Sequence, residues 1–138
     1  MEILALTPRE CIVIRNVAGR FATAASDIAA LDTLFSIRRV VLLHHNNCGA
    51  SHITNQAVLD GLREKTPDFV MGDDADAAGV ADLASRLPAK EDNDKSLRED
   101  LARVKQCRFL RKELLDNFVG LWLDVDTGLV RRVFPEEN

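Results

Sequence analysis

Arg38-Arg39-Val40-Val41-Leu42-Leu43-His44-His45-Asn46-Asn47-Cys48-Gly49-Ala50-Ser51 is the stretch whose reading decides the fold. Val40 to Leu43 is apolar and half β-branched, a run short enough for a strand buried on both faces, and the polar cluster ending in glycine stops it. His45 and Cys48 therefore fall at the strand's carboxyl end, where ligands bind in an open parallel α/β sheet. Their H-x-x-C spacing lets an imidazole nitrogen and a thiolate reach one metal ion from a single strand-to-helix turn, and zinc suits that mixture of donors. Alternation along the strand sends His44 away from His45, into packing or support of the ligand.

Working toward the amino terminus, Cys11-Ile12-Val13-Ile14 is apolar and rich in β-branched residues, then breaks into Arg15-Asn16-Val17-Ala18-Gly19-Arg20. The pattern predicts a second buried strand with Arg15 and Asn16 as site candidates at its carboxyl end, or as solvated loop anchors. Between the two strands, Ala25, Ile28, Ala29, Leu31, Asp32 and Phe35 follow helical spacing over 22–37 and complete a βαβ unit. Both polar loops would then face one crevice. Met1 to Leu6 fits a helical turn or a short strand, ended by Thr7-Pro8.

Toward the carboxyl terminus, Ser51 to Lys65 has a helical pattern with Thr66-Pro67-Asp68 as its stop. Its amino end beside the H-x-x-C turn would favour a thiolate at Cys48 or a nearby anion. Gly49 borders that turn, and His52, expected in the helix's first turn, is a candidate proton shuttle. Residues 68–95 change character. Asp73-Asp74-Ala75-Asp76 lacks the glycine and the glutamate that a calcium loop needs, so a solvated acidic loop is expected there. A short helix around Val80 to Arg86 and a polar linker from Leu87 to Asp94 follow. Ser96-Leu97-Arg98-Glu99 has the form of a capping box. In the helix it would open, Leu97, Leu101, Val104, Cys107 and Leu110 face inward while Arg98, Arg103, Lys105 and Arg108 face out. Phe118 to Val125 and Leu129 to Phe134, joined through Asp126-Thr127-Gly128, form a hairpin that caps the sheet edge.

The 138 residues, 46% hydrophobic, suffice for a single α/β domain over 1–138: a mainly parallel sheet flanked by helices, with a C-terminal antiparallel edge hairpin. A net charge of −4, with no basic run longer than pairs such as Arg38-Arg39, argues against nucleic-acid or anionic-membrane partners. Cys11, Cys48 and Cys107 are too few for a disulfide framework and fit a reducing compartment. With no apolar run near the ~18 residues of a membrane span and no secretory start, a cytoplasmic protein is expected.

Taken in order, Ile12-Val13-Ile14-Arg15-Asn16, the strand ending His44-His45-Asn46-Asn47-Cys48-Gly49, Arg108-Phe109-Leu110-Arg111 and Leu123-Asp124-Val125-Asp126-Thr127-Gly128-Leu129 resemble the β-class carbonic anhydrases over roughly residues 9 to 134. The resemblance implies a dimer or higher oligomer with its site at the subunit interface. It also implies zinc held by a cysteine of an early strand together with His45 and Cys48. Zinc-bound hydroxide in that family attacks carbon dioxide to give bicarbonate, and members acting on carbon disulfide or carbonyl sulfide use the same site.

The family's first motif, C-x-D-x-R, stands before the R-N strand and supplies one zinc ligand and an Asp-Arg pair; this sequence lacks it. The expectation is a domain without the usual first strand, its gap closed by Met1 to Leu6 or by strand exchange in a dimer. Cys11 lies four steps before Arg15, about 13 Å from the ligand end of its strand, which is too far for a ~2.3 Å zinc–sulfur bond. Cys107 belongs to the packing stripe. The implied protein is a zinc binder of this family with weak or no hydratase activity, Arg15, Asn16, Gly49 and His52 being pocket candidates. The alternatives are an active zinc hydratase or hydrolase with a substitute ligand, and a non-enzymic dimerisation or regulatory subunit.

Overall fold

A computed structural model describes residues 4–7, 9–52, 54–66 and 93–135. The run expected as the decisive strand forms β1 (Val40–His45), and the C-terminal ribbon forms β2 (Phe118–Leu123) and β3 (Val130–Phe134). β1 and β2 are parallel, with Val40 opposite Phe118 and His45 opposite Leu123. β2 and β3 are antiparallel, so the three-stranded sheet, ordered β1-β2-β3, is mixed and carries the hairpin at one edge.

Two helices cover the sheet from one side of the core. In α1 (Phe21–Phe35) the buried residues Phe21, Ala24, Ile28 and Asp32 recur every three or four positions, as an inward stripe must. α3 (Asn93–Gln106) buries Leu97, Leu101 and Val104 from the expected stripe, and Leu110 beyond its end joins the same core. Phe21 meets Phe118 edge to face, with ring centroids 5.8 Å apart. α3 approaches β2 so closely that a Cβ on Gly120 would lie 2.7 Å from Leu101 Cδ1, so only glycine fits there without repacking. The remaining helices are α2 (Asn55–Lys65) and the short α4 (Lys112–Leu115). Among the described residues, no helix is long and apolar enough to cross a membrane.

A buried polar cluster joins α1, α3 and β1. Arg20 and Asp100 are 4% and 0% exposed, and Arg20 Nη2 lies 2.9 Å from Asp100 Oδ1. That contact is an ion pair with poor hydrogen-bond alignment, since Asp100 Oδ1 accepts no well-directed bond among the described residues. Asp100 Oδ2 instead accepts the Phe21 amide at 3.2 Å and so caps α1 from another helix. Arg20 Nη1 donates to the Ser96 carbonyl at 3.2 Å. Burial raises the pKa of Asp100 against the pull of Arg20, and burial lowers that of Arg20 against the pull of Asp100. Desolvation outweighs attraction at both partners.

At its other end α1 stops on Ser36, a left-handed residue (φ 50°) whose N–H donates to the Asp32 carbonyl at 2.9 Å. The buried Asp32 carboxylate accepts a fork from Arg111, Nε and Nη2 each 2.9 Å from one oxygen, and Arg111 Nη2 also donates to the Ile37 carbonyl. Arg111 thus fixes the entrance of β1 relative to α1.

Four expectations are corrected. Cys11 to Ile14 is not assigned as a strand: among the described residues it joins no ladder, and Ile12, Val13 and Ile14 are 57%, 49% and 37% exposed. A strand needs a neighbour for its backbone groups, and β-branched residues alone do not supply one. The βαβ unit expected over 11–45 is accordingly not formed among the described residues, where the parallel neighbour of β1 is β2. Ser51, His52 and Thr54 are not part of α2, which starts at Asn55 behind a Thr54 cap; Gly49–His52 forms a separate 3-10 turn. Ser96 is not a cap, because α3 begins at Asn93 and Ser96 sits buried inside it. The acidic loop, the helix expected around Val80 and most of the polar linker lie outside the described residues.

Removing one member of a buried ion pair strands the other charge. Asp100→Ala is expected to lower stability by about 3 kcal/mol or more in chemical denaturation. The double variant Arg20→Met with Asp100→Leu should lose far less than the two single changes combined.

Candidate functional site

β1 delivers His45 at its last position, and Asn46, Asn47 and Cys48 then turn the chain. Asn47 adopts φ 49°, a left-handed conformation that asparagine tolerates better than most residues. The turn is locked where Ser51 donates twice to the Cys48 carbonyl, from its N–H at 2.9 Å and its hydroxyl at 2.7 Å. That use of the hydroxyl explains why the chain forms a 3-10 turn here and leaves the α2 cap to Thr54, whose Oγ1 accepts the Ala57 amide at 3.1 Å.

His45 Nδ1 lies 2.7 Å from the Asn46 carbonyl oxygen. A carbonyl oxygen only accepts, so Nδ1 carries the hydrogen and, in the neutral ring, Nε2 keeps its lone pair for a metal. His44, on the opposite face, is buried. Its Nε2 donates to the Gly19 carbonyl at 3.1 Å, which leaves Nδ1 to accept from the Ser96 hydroxyl at 3.1 Å. Asp100 Oδ2 stands 3.8 Å from the same Nε2. His44 is therefore a packed supporting residue, as alternation along the strand required. It ties the strand carrying His45 to the buried ion pair.

Asn46 does more than turn the chain. Its backbone N–H extends the parallel ladder to the Leu123 carbonyl at 3.1 Å. Its side chain accepts the Val125 amide at 2.7 Å and donates to Asp126 at 3.2 Å and, more weakly, to Asp124 at 3.4 Å. Asp124 in turn accepts the Asp126 and Thr127 amides at 2.9 and 3.1 Å, an Asx-type turn closed by Gly128 at φ 73°. The Thr127 amide, with further help from that of Asp126, holds the Asp124 carboxyl below the usual range against the opposing effect of burial. Local spacing could not reveal this clamp, whose two halves lie 78 to 80 residues apart.

The other candidates are less engaged. Arg15 is exposed. Asn16 Nδ2 donates to the Arg20 carbonyl at 2.9 Å and braces the Val17–Gly19 turn, while its buried Oδ1 finds no partner among the described residues. That turn touches the Gly49–His52 turn, so the two loops do meet. Gly49 borders open space, and exposed His52 lies 3.5 Å from Asn47 Oδ1, in the 3-10 turn and outside α2. A depression of about 590 Å³ lined by Arg38, Arg39 and Arg111 opens at the opposite end of β1, away from His45 and Cys48.

Cys11, Cys48 and Cys107 are free and half-buried. Among the described residues, no three histidines, cysteines or acids are grouped so that they could hold a metal ion. His45 and Cys48 are two donors where a catalytic zinc takes three, so the residues present do not fit a complete zinc centre.

No family model matches the chain, and no curated protein matches it. Solved structures do. Carbonic anhydrase from Streptococcus mutans is 25% identical over 96% of this chain and 72% of its own, with a TM-score of 0.74. Carbonic anhydrase from Glaciozyma antarctica is 26% identical over 95% and 72%, at 0.75. The apo form of a carbon disulfide hydrolase shares the fold at 18% identity, over 98% and 72%, at 0.75.

Asn46→Ala is expected to speed exchange of the Val125 amide roughly fivefold, the equivalent of one lost net hydrogen bond. The lowered Asp124 pKa fixes the sign of a pH effect. Its contribution is present above the unfolded carboxyl value and disappears as pH falls through the lower folded value. Protection of the Asp126 and Thr127 amides, followed by NMR, should be constant from about pH 5 to 7 and fall only below about pH 4.

Proposed function

The chain is β-carbonic anhydrase-like, with a mixed α/β fold shared with two carbonic anhydrases, and from that premise we propose that it binds zinc through an incomplete site and hydrates carbon dioxide weakly or not at all. One observation carries the reading: His45 and Cys48 share a single braced turn, while no third donor joins them among the described residues. Two ligands hold zinc much more weakly than three. In this reading His45 offers Nε2 and Cys48 its thiolate.

Arg15, Asn16, Gly49 and His52 border the site in this reading without a catalytic role. A dimer or higher oligomer in the cytoplasm is part of the proposal, supported by the free cysteines and the resemblance. An active hydratase or carbon disulfide hydrolase would need a donor from elsewhere, and a regulatory subunit would need a complete relative as its partner.

Zinc per chain after dialysis, and carbon dioxide hydration with and without chelator, test the proposal. Zinc well below one per chain and hydration at background are expected, with His45→Ala and Cys48→Ser removing whatever zinc remains. One tightly held zinc with chelator-sensitive turnover would overturn the incomplete site. Zinc content unchanged in both variants would overturn the ligand assignment.

A further inference from the structure

We propose that the depression at the amino end of β1 binds a soluble sugar phosphate, with the phosphate on Arg38, Arg39 and Arg111 and the hydroxyl groups on Glu113 and Asn117. The depression holds about 590 Å³ and lies at the end of the strand opposite His45 and Cys48. That volume is in the range of small-molecule sites and exceeds what a hexose phosphate fills. The local backbone brings the cations together. α1 ends on Ser36, whose φ of 50° turns the chain, and a bend at Arg38 follows before Val40 enters the sheet. Neighbours on a straight strand point to opposite faces, whereas here Arg38 and Arg39 line one depression.

Arg111 lines the same depression and is held in place. Its Nε and Nη2 are spent on the Asp32 carboxylate and the Ile37 carbonyl, which leaves Nη1 as its remaining donor. The fork on Asp32 fixes the guanidinium plane, so that donor is ordered before a ligand arrives. Asp32 also balances the charge of Arg111, while Arg38 and Arg39 stand side by side as two exposed cations. A phosphate monoester carries close to two negative charges near neutral pH and three acceptor oxygens, which matches two guanidinium forks and the Nη1 donor. A carboxylate brings one charge and two oxygens and satisfies only part of that set.

The rest of the lining selects what the phosphate is attached to. Glu113 borders the depression, and its carboxylate repels a bare anion but accepts hydrogen bonds from hydroxyl groups. Asn117 spends Nδ2 on the Glu113 carbonyl at 2.8 Å, so its amide oxygen is the group left to accept. A cationic end beside an acceptor end suits a phosphate carried on a polyol and disfavours one carried on an acidic body. The site needs no metal, so its failure and that of the proposed function are separately visible.

NMR titration of the full chain, at about pH 7.5 where the ester is a dianion, tests this with glucose 6-phosphate, inorganic phosphate and glucose as probes. Glucose 6-phosphate is expected to shift the amide and Nε–H signals of Arg38 and Arg39 with a Kd of about 1 mM or tighter. Inorganic phosphate should bind at least about tenfold more weakly, and glucose should leave those signals unmoved up to about 10 mM. Arg38→Ala and Arg39→Ala, both at exposed positions, should each weaken glucose 6-phosphate at least about fivefold. Arg39→Lys should fall in between, because it keeps the charge and loses the fork. Glu113→Ala should bring the two phosphates to within about threefold of each other, since that carboxylate is what separates them. Arg38 and Arg39 signals unmoved by glucose 6-phosphate at about 10 mM would overturn the proposal. Equal affinity for the two phosphates, or arginine variants without effect, would mark an unselective cationic surface and overturn it as well.

Discussion

The contact between Arg20 and Asp100 is the constraint on which the rest depends. It lies where the start of α1, the middle of α3 and the back of β1 converge. Asp100 caps α1, Arg20 binds the Ser96 carbonyl, and the Ser96 hydroxyl meets His44 one residue before the candidate ligand. Burial works against both charges, and removing either one would strand the other where α1, α3 and β1 meet.

The candidate site inherits that rigidity on one side. His44 fixes the ring face behind the strand, the Asn46 carbonyl fixes the tautomer of His45, and Ser51 fixes the turn that carries Cys48. The Asn46 clamp then anchors the whole turn to the hairpin at Asp124 and Asp126. Two donors are thus held on a braced turn, with a third missing among the described residues.

Much of this was legible in the sequence, and each miss has a physical cause. β1, the inward faces of α1 and α3, the hairpin and the placement of His45 and Cys48 follow from periodicity and turn residues, which act over a few positions. Cys11 to Ile14 has the composition of a strand, but pairing is decided by a neighbour that composition does not name. Ser96 has the spacing of a cap, yet its hydroxyl is claimed by His44, 52 residues away. Ser51 looked like a helix start and is spent on Cys48, while Asn46, in the polar cluster that stops β1, proved a clamp. Ser96 and Asn46 found distant partners, while Ser51 found a near one that competes with the helix cap.

X-ray absorption at the zinc edge, on protein loaded at saturating zinc, tests the central claim most directly. The half-site predicts one sulfur per zinc, from Cys48, with nitrogen or oxygen filling the other positions. Two sulfurs per zinc at the bond length of a closed site would contradict it.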